Sequence, residues 1–399
     1  MCGYKKNILI SFPGPMELGG VERSLIGLLD SINYDIYDVD LFLYGHRGPL
    51  FSLINPKVNL LPEIKELAYL RESLKDKLIN GCYYSAFLRI IDQILKPIRP
   101  IDFDNSWAKV MRKKVNAINK HYDVALSFFR PFDFILEKVD ADLKVGWVHT
   151  DYSTEEANMA ALERDYANVD YIITVSDQCR SSFLKIFPEF TNKTMVVENI
   201  LSQSFIHEQS YLFNTDDEMP DKGIKLLSIG RYCTAKNFDN VPEICSKLIE
   251  KGLDIYWYII GFGSDEQVIK DKIKQFGMED RVILLGKKDN PYPYIAACDY
   301  YIQPSRYEGK AVTVREAQML AKPVVITNYA TSLSQLEDGV DGIIVPMDNI
   351  GCADGIARLI NNKKLTEELI TNCKSRDYSN SEEIAKIESI IQTGKHNDL

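Results

Sequence analysis

No run of about 18 consecutive apolar residues occurs in the 399 residues, so no segment has the length a membrane-spanning helix requires. The eight cysteines (Cys2, Cys82, Cys179, Cys233, Cys245, Cys298, Cys352, Cys373) form no C-x-x-C pair and do not gather near the five histidines. Zinc-ligand spacing is therefore absent, and free thiols in a reducing compartment are expected. Positive charge is in deficit: 47 Lys and Arg against 57 Asp and Glu give a net charge of -10, the reverse of a general nucleic-acid binder. There is no P-loop, no G-x-S-x-G elbow and no H-E-x-x-H. Gly261-Phe262-Gly263 lacks the third glycine of a dinucleotide fingerprint. Asp38-Val39-Asp40 and Asp140-Ala141-Asp142 read as solvated carboxylates near strand starts, not as a metal-holding pair at a strand end. The expectation is a cytoplasmic enzyme that needs no metal or cofactor.

What is present is an alternation of short apolar runs with amphipathic helical stretches over almost the whole chain, which favours parallel sheets flanked by helices. Strands are predicted at 6–12, 39–44, 124–128, 144–149, 171–175 and 194–197, and again at 224–229, 255–260, 282–285, 300–303, 323–327 and 342–345. A chain of this length exceeds the usual size of a single core. The α/β alternation therefore divides into two Rossmann-like domains, 1–205 and 222–375, with 376–399 as a C-terminal helix and tail. The stretch Gln203 to Lys222 has no sustained apolar periodicity and reads as a linker. In the last segment Ile384, Ile387, Ile390 and Ile391 sit at helical spacing, so that helix needs a partner face.

Residues 67–120 interrupt the pattern as a helical insertion. There Lys96, Arg99, Lys109, Arg112, Lys113 and Lys114 mix with Tyr83, Tyr84, Phe87, Leu88, Ile90, Ile91, Leu95 and Trp107. Two readings are open: a face for an anionic membrane surface, or apolar residues packed on the domain with solvated lysines and arginines around them.

The densest chemical signal is Gln303-Pro304-Ser305-Arg306-Tyr307-Glu308-Gly309-Lys310-Ala311-Val312-Thr313-Val314-Arg315-Glu316, which follows a strand and opens a helix. Unpaired N–H groups and the dipole of a helix beginning near Val312 suit a diphosphate, with Gly309, Lys310 and Ala311 leading in and Thr313 adding a hydroxyl donor. Glu308 on the loop and Glu316 just over one turn into the helix can face one cleft, and a carboxylate grips a vicinal diol by accepting two hydroxyl hydrogen bonds. Arg231 and Lys236, after the strand that ends before Gly230, would neutralise a departing diphosphate. In the first half, Gly19-Gly20 after the first strand makes another helix-end anion site. His149 ends a strand, where open α/β sheets bind ligands, and reads either as a sugar or acceptor contact from a cleft or as a hydrogen-bonded structural histidine.

Glu308-x7-Glu316 resembles the EX7E motif of retaining GT-B glycosyltransferases, particularly glycosyltransferase family 4 of the bacterial surface-polysaccharide type. Ser228-Ile229-Gly230-Arg231 with Lys236-Asn237, Ile259-Ile260-Gly261-Phe262-Gly263, Ala321-Lys322-Pro323-Val324-Val325 and Asp341-Gly342-Ile343-Ile344-Val345 extend the resemblance across 224–360. Gly19-Gly20 is similar to the family's glycine-rich acceptor-side loop. Many members carry phenylalanine and a second glycine where Lys310 and Ala311 stand here, so donor-sugar identity does not carry over.

The resemblance implies a GT-B fold of two facing Rossmann-like domains, the C-terminal helix crossing back to the N-terminal one. It implies a retaining hexosyltransferase taking a nucleotide diphosphate sugar, a UDP-sugar favoured. Arg231, Lys236, Glu308 and His149 would serve the chemistry, and Gly19, Gly20, Gly230, Gly261, Gly263, Gly309, Lys310, Ala311, Val312, Thr313 and Glu316 the donor. The acceptor would be a saccharide, or a lipid-linked saccharide at the inner membrane face, in surface-polysaccharide or glycoconjugate synthesis. A nucleotide-sugar 2-epimerase of the same architecture and a silent nucleotide-binding module are the alternatives.

Overall fold

Near-continuous apolar strands, as opposed to alternating ones, mark sheets covered on both faces, and the computed structural model contains two such sheets, all parallel. It describes residues 5–17, 19–70, 72–95, 110–111, 113–149, 159–308 and 311–394. The chain divides into two units, one holding everything up to Leu201 together with the segment from Asn380 onward, the other spanning Ser202–Ser379.

The first unit has the strands β1 (Lys6–Phe12), β2 (Tyr37–Leu43), β3 (Asn59–Leu60), β4 (His121–Ser127), β5 (Asp140–Val148), β6 (Tyr171–Thr174) and β7 (Thr194–Val196) in the order β3-β2-β1-β4-β5-β6-β7. Ile8 of β1 aligns with Val39 on one side and Val124 on the other. Two-residue β3 carries no apolar run, which is why its sequence shows no strand. α1 (Gly20–Ser31) follows β1 and buries Leu25, Ile26, Leu28 and Leu29.

The insertion folds as α2 (Lys65–Ala68), α3 (Leu74–Ile79) and α4 (Tyr83–Leu95). Its inner side is core: Leu67, Leu70, Leu88, Val110, Met111 and Val115 join Leu9 and Phe42 in one apolar cluster. Its outer side is not, since Tyr83, Phe87, Ile90 and Ile94 lie on one face of α4 and are all exposed. The packing reading thus holds for the inner side, while α4 also carries an exposed apolar face. Lys96, Arg99, Trp107, Lys109, Arg112 and the Leu95 side chain lie outside the described residues. Lys77 is completely buried and donates to the carbonyls of Tyr69 at 2.7 Å, Leu70 at 2.5 Å and Glu72 at 2.9 Å. A long ammonium can be internal only when its hydrogens are all taken, and here they satisfy carbonyls between α2 and α3.

The C-terminal helix Ile384–Thr393 belongs to this first unit. Ile387, Ile390 and Ile391 are its buried side and line an apolar space with Ile8, Ile10, Val124 and Leu126 of the sheet, and Lys6 Nζ donates to the Ile391 carbonyl at 2.6 Å.

The second unit orders β8 (Ile224–Ile229), β9 (Ile255–Ile260), β10 (Val282–Gly286), β11 (Tyr300–Gln303), β12 (Val324–Thr327) and β13 (Ile343–Val345) as β10-β9-β8-β11-β12-β13. Chain direction across the sheet reverses between β8 and β11, and open α/β sheets bind ligands beyond the strand ends at such a point. The expected linker Gln203 to Lys222 is corrected here, because its first part is the helix Gln203–Ser210. Ser202 caps it by accepting from the Phe205 N–H, and Phe205 packs edge-on against Tyr292 at 5.8 Å. A helix this short needs only Phe205 and Ile206 buried, too few apolar residues to show a period.

Candidate functional site

β8 and β11 are held together by a buried serine: Ser228 Oγ donates to the Ile302 carbonyl at 2.7 Å and accepts from Trp257 Nε1 at 2.9 Å. Past β8 the chain runs through Gly230 and Arg231 to a 3-10 turn, Thr234–Lys236, which ends at Asn237 in the left-handed region (φ 59°). Lys236 then doubles back so that its stem crosses Gly230, where a Cβ would lie 3.1 Å from Lys236 Cε. Its ammonium meets the loop after β11, Lys236 Nζ donating to Glu308 Oε1 at 2.5 Å. Arg231 is exposed and makes no ion pair among the described residues.

Glu308 is held on one oxygen. Oε1 also accepts from Ser305 Oγ at 2.6 Å and Gln303 Nε2 at 3.2 Å, and the side chain is only 10% exposed. Gln303 is wholly buried and accepts in turn from Tyr301 at 2.8 Å and Thr313 at 3.5 Å. Glu316, one turn into the helix Val312–Met319, is wholly buried too, its Oε1 accepting from the Tyr292 phenol at 2.9 Å. Burial pushes the Tyr301 phenol well above its ordinary range, and both the Glu316 and Glu308 charges add to that. Glu308 thus stands beside Gln303 at the carboxyl end of β11, and the Glu316 charge acts on Tyr301 of the same strand.

The expected free N–H groups at the helix start need one correction. Ala311 N–H donates to Gln335 Oε1 at 2.7 Å, and Gln335 Nε2 donates to the Ala311 carbonyl at 3.3 Å. A buried amide can satisfy both backbone groups of one residue, so Ala311 offers no free donor. Thr331 Oγ1 secures the same loop by donating to the Glu308 carbonyl at 2.8 Å. Val312 opens the helix and Thr313 is half-buried. Gly309 and Lys310 lie outside the described residues. Gly261 and Gly263 (φ 156° and 157°) are required by backbone contact: a Cβ would fall 1.9 Å from the Gly230 oxygen and 2.3 Å from the Tyr232 oxygen.

In the first unit, the helix end at Gly19-Gly20 holds an anion of the chain's own. A Cβ on Gly19 would lie 2.1 Å from Glu22 Oε2, so this carboxylate, three residues on, folds back over the first turn as N3 glutamates do. Burial pushes its pKa up against the lowering effect of its own backbone N–H. His149 follows β5 beside the rings of Phe128 at 4.8 Å and Trp147 at 5.8 Å. Burial pushes its imidazole down to about 3, a hydrogen bond to the Phe128 backbone opposing only in part, so the ring is neutral. Its Nε2 is buried and has no partner among the described residues. Asp40 corrects the reading of solvated carboxylates: it is buried and accepts from Tyr122 at 2.6 Å, Asn59 at 2.8 Å and Lys120 at 2.9 Å. Burial alone would raise its pKa, yet these donors hold it below the usual carboxylate range. Asp38, Asp140 and Asp142 are exposed. Among the described residues no three His, Cys, Asp or Glu are grouped to hold a metal.

Tyr292, Gln335, Thr331 and Glu22 were not singled out by sequence. The polar Gln303 closing an apolar strand is a signal of sorts, since a buried amide needs partners; Gln335 carries none.

With this geometry in hand, the family model described as "Glycosyl transferases group 1" matches residues 214–376. An uncharacterized glycosyltransferase of Haemophilus influenzae is 24% identical over 385 residues, 94% of this chain and 95% of its own length. The N-acetylgalactosamine-N,N'-diacetylbacillosaminyl-diphospho-undecaprenol 4-alpha-N-acetylgalactosaminyltransferase of Campylobacter jejuni is 25% identical over 213 residues, 53% of this chain and 56% of that protein. Among solved structures, HepE of Anabaena in complex with UDP-glucose matches with a TM-score of 0.63 at 15% identity, over 96% of this chain and 99% of that one. At that identity the likeness is one of fold.

Proposed function

We propose that this chain, a GT-B glycosyltransferase related to the group 1 family, transfers a sugar from a UDP-sugar to a saccharide hydroxyl with retention of anomeric configuration. Its broader activity is sugar transfer from a nucleotide diphosphate sugar in polysaccharide or glycoconjugate synthesis. The observation that carries the reading is the Lys236–Glu308 pair at the point where the second sheet reverses direction.

An ammonium has three hydrogens. With one on Glu308, two remain for phosphate oxygens, and Arg231 adds an unpaired guanidinium nearby in sequence. Thr313 and the start of the motif helix complete the diphosphate site. The described hydrogen bonds to the Glu308 carboxylate all fall on Oε1, which leaves Oε2 to accept from a sugar hydroxyl. Glu316 takes the ribose, oriented by Tyr292. In the transfer the bond from the sugar C1 to the phosphate oxygen breaks and one from C1 to the acceptor oxygen forms. The phosphate oxygen takes the acceptor's proton on the same face, and the protein supplies position and charge. Neutral His149 offers Nε2 to a hydroxyl of the sugar or acceptor. Gly19 and Gly20 serve an anionic ligand only when Glu22 swings aside.

For the acceptor we infer a lipid-linked saccharide. The Campylobacter relative's name contains a diphospho-undecaprenol, and the exposed face of α4, with Lys113 and Lys114 exposed beside Tyr84, suits an anionic membrane surface.

The test is a thermal-shift screen of UDP-, GDP- and ADP-sugars, followed by transfer with the stabilising donor and assignment of the product's anomeric proton. A UDP-sugar should raise the melting temperature and give a product of the donor's configuration. An inverted product would overturn retention, and an epimer formed from donor alone would favour the 2-epimerase. Flotation with anionic vesicles should carry the protein upward; no flotation removes the membrane part.

A further inference from the structure

Lys236 stands on a loop whose other residues are nearly all tied to the loop that carries Glu308. Arg306 is the main tie. Its Nη1 donates to Asp239 Oδ1 at 2.9 Å and to the Thr234 carbonyl at 2.6 Å, and its Nη2 donates to Asp239 Oδ2 at 2.7 Å. Its backbone N–H donates to the Ala235 carbonyl at 2.8 Å. From the other side, Asn237 Nδ2 donates to the Pro304 carbonyl at 2.9 Å, while Asn237 itself is buried and braced by Asn240 at 2.7 Å. Thr234, Ala235, Asn237 and Asp239 are thus fastened to residues 304–306, and the lysine between them is left to project at Glu308.

We propose that Arg306 and Asp239 are positioning residues for sugar transfer: their two-pronged ion pair locks the Lys236 loop onto the Glu308 loop and sets the ammonium where the diphosphate leaves. The proposal rests on the function read above. Among the described residues every guanidinium bond of Arg306 goes to this loop, so its part is to place Lys236. Stability alone does not account for the pair, since both side chains are a quarter to a third exposed and even a two-pronged ion pair of that exposure adds only modestly. Geometry does, because a displacement of about 1 Å in a reacting group costs on the order of 100-fold in rate. A lysine at 306 would keep the charge and lose the fork that holds Asp239 and Thr234 together.

The experiment compares wild type with Arg306→Ala, Arg306→Lys, Asp239→Ala, the double alanine variant and the exchanged pair R306D/D239R. Steady-state transfer is measured along with hydrogen exchange of residues 234–240 and 304–308. Arg306→Ala and Asp239→Ala should each lower kcat about 10- to 100-fold, with a smaller change in donor KM and a melting temperature near that of wild type. The double variant should lose no more than either single one, and exchange in both loops should rise. Arg306→Lys should fall between wild type and alanine, and the exchanged pair should regain part of kcat. The proposal is overturned if kcat is unchanged, if the two losses multiply, or if Asp239→Ala is harmless where Arg306→Ala is not, which would make Arg306 a direct ligand contact. Should the wild-type protein transfer no sugar, the function reading fails, and a flat exchange profile in the variants would sink the clamp separately.

Discussion

Replacing Lys236 with alanine is expected to lower kcat by about 100- to 1,000-fold while changing donor KM much less, as loss of one charge aimed at a developing oxyanion does elsewhere. The charge on the leaving diphosphate is greatest in the transition state, so a preplaced ammonium acts most strongly there. The structure supplies the preplacement: the Lys236 stem crosses Gly230 and its tip is anchored on Glu308. Folding should survive at a cost: Glu308 loses its counter-ion but keeps Ser305 and Gln303 as hydrogen-bond donors on the same oxygen. Steady-state kinetics beside a melting curve separates the two effects. Unchanged turnover in both Lys236→Ala and Arg231→Ala would count against the assignment of leaving-group charge to these residues.

Gly261→Ala is expected to be the most damaging small substitution in the second unit, lowering stability by more than about 3 kcal/mol through steric strain at a special backbone position. The added Cβ would meet the Gly230 oxygen at 1.9 Å and Tyr232 Cε1 at 2.8 Å. Neither can yield easily. Gly230 N–H is itself bonded to the Ile260 carbonyl, and Tyr232 N–H to the Phe262 carbonyl, so relief means moving the segment that carries Arg231. Gly252→Ala is the matched control: its φ is also positive, at 82°, but nothing lies within 4 Å. It should cost only the left-handed backbone penalty, about 1–2 kcal/mol. Urea titration of both variants checks this. Equal losses would show that the contact with Gly230 carries no strain.

Much of the scaffold was legible because parallel strands covered on both faces are written as short, dense apolar runs. Lys6–Phe12, Ile224–Ile229, Ile255–Ile260 and Tyr300–Gln303 lie where their sequences predict. Strand edges drifted where a polar residue sits inside a sheet, as at Asp140 and Asp142 in β5. The helix Gln203–Ser210 was hidden because two buried apolar side chains make no period. Asp40 and Lys77 were legible only as charged residues of ordinary surface type, and their burial depends on Tyr122 and on the Tyr69, Leu70 and Glu72 carbonyls.

By itself the sequence determined the α/β class, the two sheets and the setting of Glu308 on the loop after one strand with Glu316 on the helix that follows, because each follows from local periodicity and short spacings. What only the tertiary structure decided is the state of each charged or polar group. Glu316 meets Tyr292 twenty-four residues away, Ala311 is closed off by Gln335, Lys236 reaches Glu308 across seventy-two residues, and the helix end at Gly19 is filled by Glu22. The reason is physical: periodicity records which side of an element is apolar, whereas a hydrogen bond depends on where two distant backbones bring a donor and an acceptor, and that is set only when the sheets have formed.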